Sequence, residues 1–109
     1  MKQDIETFIK LLHELQKIDP EFPLQYARCL FEIALDEGLC LTDLSERTGT
    51  ALSTISRVTS ALAKEKARGK NYALVQIKIS SKERRRKQLF LTKKGRDVIS
   101  NVSALLAEK

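Results

Sequence analysis

The sequence is poor in the side chains on which most enzyme and metal chemistry depends. It has one histidine, two cysteines and no tryptophan. It also has no glycine-rich phosphate loop, no Ser-His-acid arrangement and no cluster with metal-ligand spacing, so we expect no enzymatic activity, no metal site and no cofactor. Cys29 and Cys40 have apolar neighbours, which predicts buried structural thiols rather than a disulfide or a redox switch.

Long hydrophobic runs and turn-forming residues are also scarce. No stretch approaches the roughly 20 apolar residues that a membrane-spanning helix needs, and the charged N-terminal segment is unlike a signal peptide. We therefore expect a cytoplasmic protein that does not bind membranes. Only four Gly and two Pro occur among 109 residues, of which 42% are hydrophobic and 31% charged. This composition is typical of one folded domain, here residues 1–109.

Charge is divided unevenly along the chain. The net charge is +6, but residues 1–49 carry −5 and residues 50–109 carry +11. A solvated basic surface and a face that meets a polyanion such as nucleic acid are both consistent with this asymmetry. Aromatic residues make up only 6% of the chain, which argues against stacking on single-stranded nucleic acid.

Hydrophobic periodicity predicts a mainly α fold with one β-hairpin, in the order α-α-(β)-α-α-β-β-α. Apolar residues recur at helical spacing in the first two segments, which Pro20 and Pro23 separate. The pattern changes to alternation at Val75, Ile77 and Ile79, which is typical of a half-buried strand. The predicted helices cover residues 4–18, 24–37, 43–48, 54–66 and 94–107, and the predicted strands cover residues 39–41, 75–79 and 89–91.

The same patterns predict helix caps and core positions. Thr42 and Ser53 are the predicted N-caps of the third and fourth helices, and Gly38 is the predicted end of the second. The side chains predicted to face the core include Ala27, Leu30, Phe31, Ala34 and Leu35 from the second helix, and Leu44, Leu52, Val58 and Leu62 from the third and fourth.

Residues 41–62 have the spacing of a helix-turn-helix. A small residue, Ser45, stands where two helices would cross, Gly49 follows four positions later to make the turn, and Ile55 follows six positions after that to pin the second helix. An ordinary αα-hairpin satisfies the same spacing, so this motif alone leaves both interpretations open. In a helix-turn-helix, the outward short donors and one Arg suit a major groove. The predicted contacts are Ser53, Thr54, Ser56, Arg57 and Ser60.

A basic β-hairpin follows these helices, and this order favours a winged helix. The predicted hairpin tip, residues 80–87, contains five positive charges and one acid. Such a loop can reach a minor groove, whose negative potential attracts Arg. The predicted wing contacts are Lys82, Arg84, Arg85, Arg86 and Lys87. Between the helices and the strands, the predicted phosphate contacts are Lys64, Lys66, Arg68 and Lys70. For Tyr72, a phosphate contact and a structural role are equally open.

Two stretches of the sequence resemble the MarR family of dimeric winged-helix regulators. The first reads LTDLSERTG from Leu41, followed by STISRV and Leu62. The second pairs Glu83-Arg84-Arg85 with Leu91-Thr92-Lys93-Lys94-Gly95, where the family has Asp-x-Arg before Leu-Thr-x-x-Gly. The resemblance covers about residues 24–100 and implies that Arg85 enters the minor groove while Glu83 helps to hold it. The family often has Gly where this chain has Lys66, which predicts an extended wing.

The resemblance also implies how the domain is organised. The terminal segments, residues 1–23 and 94–109, would form a homodimer, and residues 24–93 would form the DNA-binding lobe. The predicted interface residues are Ile5, Phe8, Leu12, Val102, Leu105 and Leu106. Family members often have a ligand pocket between these regions. Terminal helices this short leave little wall for a large pocket, so a small-molecule effector is compatible with the sequence but not indicated by it.

Together these features predict a transcription regulator that binds double-stranded DNA specifically, as a homodimeric repressor on a pseudo-palindromic operator. The alternative is a winged helix that holds a protein partner or organises DNA in replication, packaging or plasmid maintenance, with nonspecific DNA affinity. A third class, an RNA-binding domain, is disfavoured by the scarcity of aromatic residues. Sequence preference on duplex DNA separates the first class from the other two.

Overall fold

The computed structural model describes residues 1–63, 72–80 and 86–107. Within these ranges the predicted fold class is confirmed, because five helices and a two-stranded antiparallel hairpin follow one another in the predicted order. The elements are α1 (Lys2–Ile18), α2 (Leu24–Leu35), α3 (Leu41–Thr48), α4 (Leu52–Ala63), β1 (Val75–Ile79), β2 (Lys87–Leu91) and α5 (Lys93–Ala107). The predicted end of the fourth helix at residue 66 and the basic run from Lys64 to Lys70 lie outside the described residues.

The core lies where α2, α3, α4 and the hairpin converge. Leu30, Ile33, Leu44, Ile55 and Leu89 are fully buried there. Each helix contributes residues three or four positions apart, so one stripe of each faces its neighbours. None of the helices in the described part of the chain combines the length and the apolar character needed to cross a bilayer.

Three side chains near this core depart from the predicted pattern. Leu35 was predicted to face inward but is 80% exposed, because α2 ends at that residue. Leu52, also predicted inward, is exposed at the first turn of α4. Thr59 takes a buried position instead, and its hydroxyl donates to the carbonyl oxygen of Ile55 at 2.8 Å, which satisfies the polar group inside the helix. A helical period predicts the buried face but not where the core stops along it.

The two strands form the predicted hairpin. Val75 pairs with Leu91 and Ile77 pairs with Leu89, and the Ser80 N–H donates to the Arg86 carbonyl oxygen at 2.9 Å beyond the last strand pair. β2 begins at Lys87 rather than at residue 89, because backbone pairing continues past the apolar residues. Ile79 pairs with Lys87 at this outer end of the hairpin. Its side chain is 63% exposed, although the alternating pattern placed it on the apolar face of the strand.

The apolar segment at residues 39–41 is not the strand that the sequence predicted. This segment makes one bridge, between Cys40 and Gln88. The Leu39 oxygen also accepts from the Leu89 N–H at 2.9 Å, and the preceding Gly38 N–H donates to the Leu89 oxygen at 2.7 Å. α3 then begins at Leu41, so the chain turns into a helix before a strand can form. Gly38 has φ +98° and lies three residues past the end of α2 rather than directly after it.

An aromatic cluster holds the link between α1 and α2. The rings of Phe22 and Tyr26 lie edge-on to Tyr72, with centroids 5.4 Å and 5.9 Å from it. Tyr72 is buried, and its hydroxyl donates to Asp19 Oδ2 at 2.6 Å. The structure therefore supports the structural role for Tyr72 rather than a phosphate contact, because the hydroxyl faces the protein interior.

The hydrogen bond between Tyr72 and Asp19 makes the free energy of unfolding depend on pH in the alkaline range. Burial and the hydrogen bond to Asp19 raise the pKa of Tyr72 to about 12. The unfolded chain loses the same proton at its ordinary pKa of about 10, so this contribution is complete below that value and is lost as pH rises from there through the folded pKa. In urea unfolding, we expect the wild-type free energy of unfolding to fall more steeply over this range than that of Tyr72→Phe. Equal slopes would show that the hydroxyl ionises alike in both states.

A close backbone approach joins the hairpin to α5. Thr92 caps α5: its hydroxyl donates to the Ala73 oxygen at 2.6 Å and accepts from the Gly95 N–H at 3.0 Å. A Cβ on Gly95 would lie 2.1 Å from the Leu74 carbonyl oxygen. Leu74 in turn donates its N–H to the Leu62 oxygen at 2.9 Å and accepts from the Thr92 N–H at 3.0 Å. The Leu-Thr-x-x-Gly stretch is thus a packing junction between α4, the hairpin and α5.

α1 lies against α5 and leaves apolar side chains uncovered. Of its hydrophobic stripe only Leu15 is buried, while Ile5, Phe8, Ile9 and Leu12 are exposed. Leu106, a predicted interface residue near the end of α5, is 48% exposed. These side chains do not contribute to the core described above.

Candidate nucleic-acid interface

The turn between α3 and α4 is closed by Ser45 and Gly49. Gly49 ends α3 in the left-handed conformation with φ +67°, which favours glycine. The Ser45 carbonyl oxygen accepts from the N–H groups of Gly49 and Thr50, and the Ser45 hydroxyl donates to the Thr50 oxygen at 2.5 Å. Ile55 is fully buried against this turn. Ser45 therefore serves through its hydroxyl as well as through its small size.

The outward face of α4 carries the predicted base-reading residues. Ser53 and Arg57 are exposed, and Thr54, Ser56 and Ser60 are half-buried. The opposite face is packed into the core through Val58, Thr59 and Leu62. The polar side of the helix is thus available to a ligand over its first two turns.

Both predicted N-caps are wrong by two positions. Cys40 occupies the N-cap position of α3, and Thr42 lies inside the helix. Ser53 lies inside the first turn of α4, which begins at Leu52. In both cases an apolar residue outside the predicted range of the helix, Leu41 or Leu52, forms its first residue.

The base of the wing lies beside the start of α3. Arg86 and Lys87 are both exposed. Arg86 Nη2 donates to Cys40 Sγ at 2.6 Å, and that sulfur lies 2.9 Å from Thr42 Oγ1. The other predicted wing residues, Lys82, Arg84 and Arg85, lie outside the described residues, as does Glu83.

A groove of about 580 Å³ separates the wing from the two helices. One wall is formed by Arg86 and Lys87, and the other by the N-terminal turns of α3 and α4. The remaining lining residues are Cys40, Leu41, Thr42, Leu52, Ser53 and Ser56. Thr42 and Leu52 were not predicted at this site, and the signal that could have found them is their position at helix starts beside the wing.

Asp43 lies near this groove, next to Cys40 and Arg86. Hydrogen bonds from Cys40, and the positive charges of Arg86 and Arg47, hold the pKa of Asp43 below its usual range. Asp43 Oδ2 accepts from the Cys40 N–H at 3.2 Å, at the positive end of the α3 dipole. The carboxylate is thus engaged in capping α3.

Neither thiol forms a disulfide, and both are buried, as predicted. Burial raises the pKa of Cys29, which makes this thiol unreactive. Cys40 differs from the prediction in having a cationic neighbour, Arg86, which is 46 positions away in sequence and so gave no local signal. Across residues 1–63, 72–80 and 86–107, no three His, Cys, Asp or Glu side chains converge as metal ligands would.

An apolar cavity of about 630 Å³ lies between α1, α2, the helix-turn-helix and α5. Phe8, Leu12 and Leu15 line it from α1, and Phe31 and Val102 line it from α2 and α5. This volume falls in the range of small-molecule sites. The terminal helices therefore leave more wall for a pocket than the sequence predicted.

Comparison with solved structures identifies the fold. The chain matches S. aureus MepR in complex with DNA at a TM-score of 0.78 and 18% identity, over 96% of this chain and 79% of that one. It matches a MarR-family transcriptional regulator from Silicibacter pomeroyi at a TM-score of 0.62 and 19% identity, over 94% of this chain and 66% of that one. A Mycobacterium tuberculosis protein matches at a TM-score of 0.74 and 21% identity, over 94% of this chain and 65% of that one.

The chain thus spans under two thirds of the length of the latter two proteins. No profile of a known family matches the sequence, and no curated protein matches it. The structural matches show that this chain has the winged helix-turn-helix fold of MarR-type regulators, so the fold implied by the two motif stretches is confirmed.

Proposed function

We propose that this protein is a transcription regulator that binds double-stranded DNA in a sequence-specific way. The observation that carries the proposal is that the exposed polar face of α4 and the basic base of the wing open onto the same groove. MepR, which has this fold, was solved in complex with DNA. A positive second half of the chain, at +11, supplies the attraction to phosphate.

In this proposal α4 enters the major groove and the wing follows the backbone to the neighbouring minor groove. The recognition residues are Ser53, Thr54, Ser56, Arg57 and Ser60, which reach base edges and nearby phosphates. Lys82, Arg84 and Lys87 contact phosphates, and Arg85 enters the minor groove, as the family resemblance implies. Arg86 is not among these phosphate contacts.

We further propose that the protein acts as a homodimer. The exposed apolar stripe of α1 and the exposed end of α5 support this proposal, because water-exposed leucine and phenylalanine side chains at helical spacing are typical of an interface. Residues 1–23 and 94–109 would form it, and residues 24–93 would bind DNA. The interface residues are Ile5, Phe8, Leu12, Val102, Leu105 and Leu106.

A two-fold axis would place the two α4 helices in successive major grooves, about 34 Å apart. The operator would then be a pseudo-palindrome whose half-site centres are about ten base pairs apart. Occupying such a site in a promoter is enough to repress transcription. The protein would act in the cytoplasm, bound to the nucleoid. No chemical step is needed.

Fluorescence anisotropy on two duplexes tests the proposal. One duplex is the DNA upstream of the gene for this protein, and the other is a scrambled control of equal length. We expect a preference of about 10³-fold or more for a duplex that contains the operator. If the protein binds the upstream duplex and the scrambled duplex equally, with a steep salt dependence, it recognises only the phosphate backbone of these duplexes, and this result favours the alternative of a winged helix with nonspecific DNA affinity.

Arg57→Ala is expected to reduce sequence preference together with affinity, by about 1–3 kcal/mol, because a guanidinium on the exposed face of α4 can pair with a guanine. Lys10→Ala is the matched control, since it removes one positive charge from an exposed position on α1. Anisotropy on operator and scrambled duplexes measures both variants. Equal weakening of Arg57→Ala on the two duplexes would show that this side chain touches phosphate alone.

A further inference from the structure

The contact between Arg86 and Cys40 joins the wing to the start of the helix-turn-helix. Arg86 is the first described residue on the return side of the wing tip, and Cys40 is the N-cap of α3. Arg86 Nη2 lies 2.6 Å from the sulfur, which also lies 2.9 Å from the Thr42 hydroxyl. Cys40 is buried, so the guanidinium is held by an atom that is itself fixed in the protein.

This contact is the outermost in a series of bonds that fasten β2 to the loop before α3. Nearer the core, Gly38 and Leu39 exchange backbone hydrogen bonds with Leu89, and Gln88 Nε2 donates to the Gly38 oxygen at 3.3 Å. The end of β1 is bonded to the same residue, because the N–H of Ser80, which follows β1, donates to the Arg86 oxygen at 2.9 Å. A displacement of Arg86 therefore moves both strands at the base of the wing.

The same two residues define the spacing of the groove. Arg86 belongs to the wing wall and Cys40 to the helix wall, and the predicted base readers Ser53 and Ser56 line the groove beside them. Lys87, next to Arg86 on the wing wall, contributes an exposed ammonium group to the same groove.

We propose that Arg86 is a positioning residue that sets, through Cys40, the distance between the wing and the recognition helix. With this distance fixed in the free protein, the wing and α4 reach adjacent grooves of one duplex without further ordering, which favours binding. Arg86 itself does not bind phosphate. This inference rests on the proposed function, since it specifies how the same DNA site is held in shape.

The test compares Arg86→Ala, Cys40→Ala and the double variant on operator DNA at several salt concentrations. We expect each single variant to weaken binding about three- to tenfold and the double variant to be no weaker than Cys40→Ala, because the contact between Arg86 and the Cys40 sulfur is already lost in either single variant. The salt dependence should match that of the wild type. Lys87→Ala is the matched control, and we expect it to lower the salt slope by about one unit through loss of a phosphate contact.

Cys40→Ser is the rescue variant. Its hydroxyl can accept from Arg86, and serine is a favoured N-cap residue, so binding should stay close to the wild type while α3 is stabilised. If Cys40→Ala does not fold, the exposed Arg86→Ala and the rescue variant still decide the question. A reduced salt slope for Arg86→Ala, or losses that add in the double variant, would overturn the positioning role.

A measurement without DNA separates this inference from the proposed function. By NMR, hydrogen exchange of the Ser80 amide should be faster in Arg86→Ala and Cys40→Ala than in the wild type, and unchanged in Lys87→Ala. Unchanged exchange in all three variants would overturn the positioning role even if the protein binds an operator. Faster exchange in a protein that prefers no duplex would support the contact and remove the proposed function.

Discussion

Gly95→Ala is expected to lower the free energy of unfolding by at least about 2 kcal/mol, because overpacked interiors typically cost about 1–3 kcal/mol and occasionally more. The new Cβ would lie 2.1 Å from the Leu74 carbonyl oxygen, and backbone cannot swing aside as a flexible side chain does. Alanine gains about 1 kcal/mol over glycine within a helix, which is too little to offset this clash. Urea unfolding followed by circular dichroism measures the difference.

Gly49→Ala provides the comparison. Gly49 has φ +67° and no atom within 4 Å of a Cβ built on it, so alanine there meets backbone strain without a clash. We expect a loss of about 1–2 kcal/mol from the left-handed conformation alone. Ser103→Ala, at an exposed position of α5, should be nearly neutral. If Gly95→Ala is as stable as Ser103→Ala, the hairpin and α5 do not approach as closely in solution.

Phe8→Asp is expected to convert the proposed dimer to monomers at micromolar concentrations. Phe8 is 59% exposed on the apolar stripe of α1, so the substitution removes little from the core of one subunit. In an interface, the carboxylate would be buried against apolar side chains without a partner, which is strongly unfavourable. Sedimentation velocity measures the oligomeric state, and circular dichroism checks the fold.

The loss of the dimer should also be visible in DNA binding. Two linked half-site contacts exceed one by about 10²-fold or more, so Phe8→Asp should weaken operator binding by at least that factor. Gln3→Asp is the control, because it places an acid at an exposed position on another face of the same helix. A Phe8→Asp protein that remains dimeric would place the interface elsewhere on the molecule.

Local patterns predicted the elements and the turn because those features depend on neighbouring residues. The spacing from Ser45 to Gly49 predicted the turn, and Gly49 does adopt a positive φ. Periodicity predicted all five helices, since each has a continuous apolar stripe. The errors fall at helix ends, as at Leu35 and Thr42, where the core stops or the chain changes direction over one or two residues.

The contacts that join these elements could not be predicted, because they connect residues far apart in the sequence. Tyr72 reaches Asp19 across 53 positions and Arg86 reaches Cys40 across 46. A third, from the Leu91 N–H to Glu37, spans 54. No period relates such pairs, and the residue type of one partner does not indicate the other. For the same reason the sequence predicted that Arg86 contacts DNA but not that its guanidinium donates a hydrogen bond to the Cys40 sulfur.

Leu74 links α4 to α5 through backbone contacts. Its N–H is bonded to the end of α4, its oxygen is bonded to the Thr92 N–H at the start of α5, and Gly95 packs directly on that oxygen. Because these contacts meet at one residue, we expect α4 and α5 to move together. In the proposed dimer, any change in the angle between the two α5 helices would become a change in the reach between the two α4 helices. The spacing of the two α4 helices at the DNA would then be set by the packing of the two α5 helices in the dimer interface.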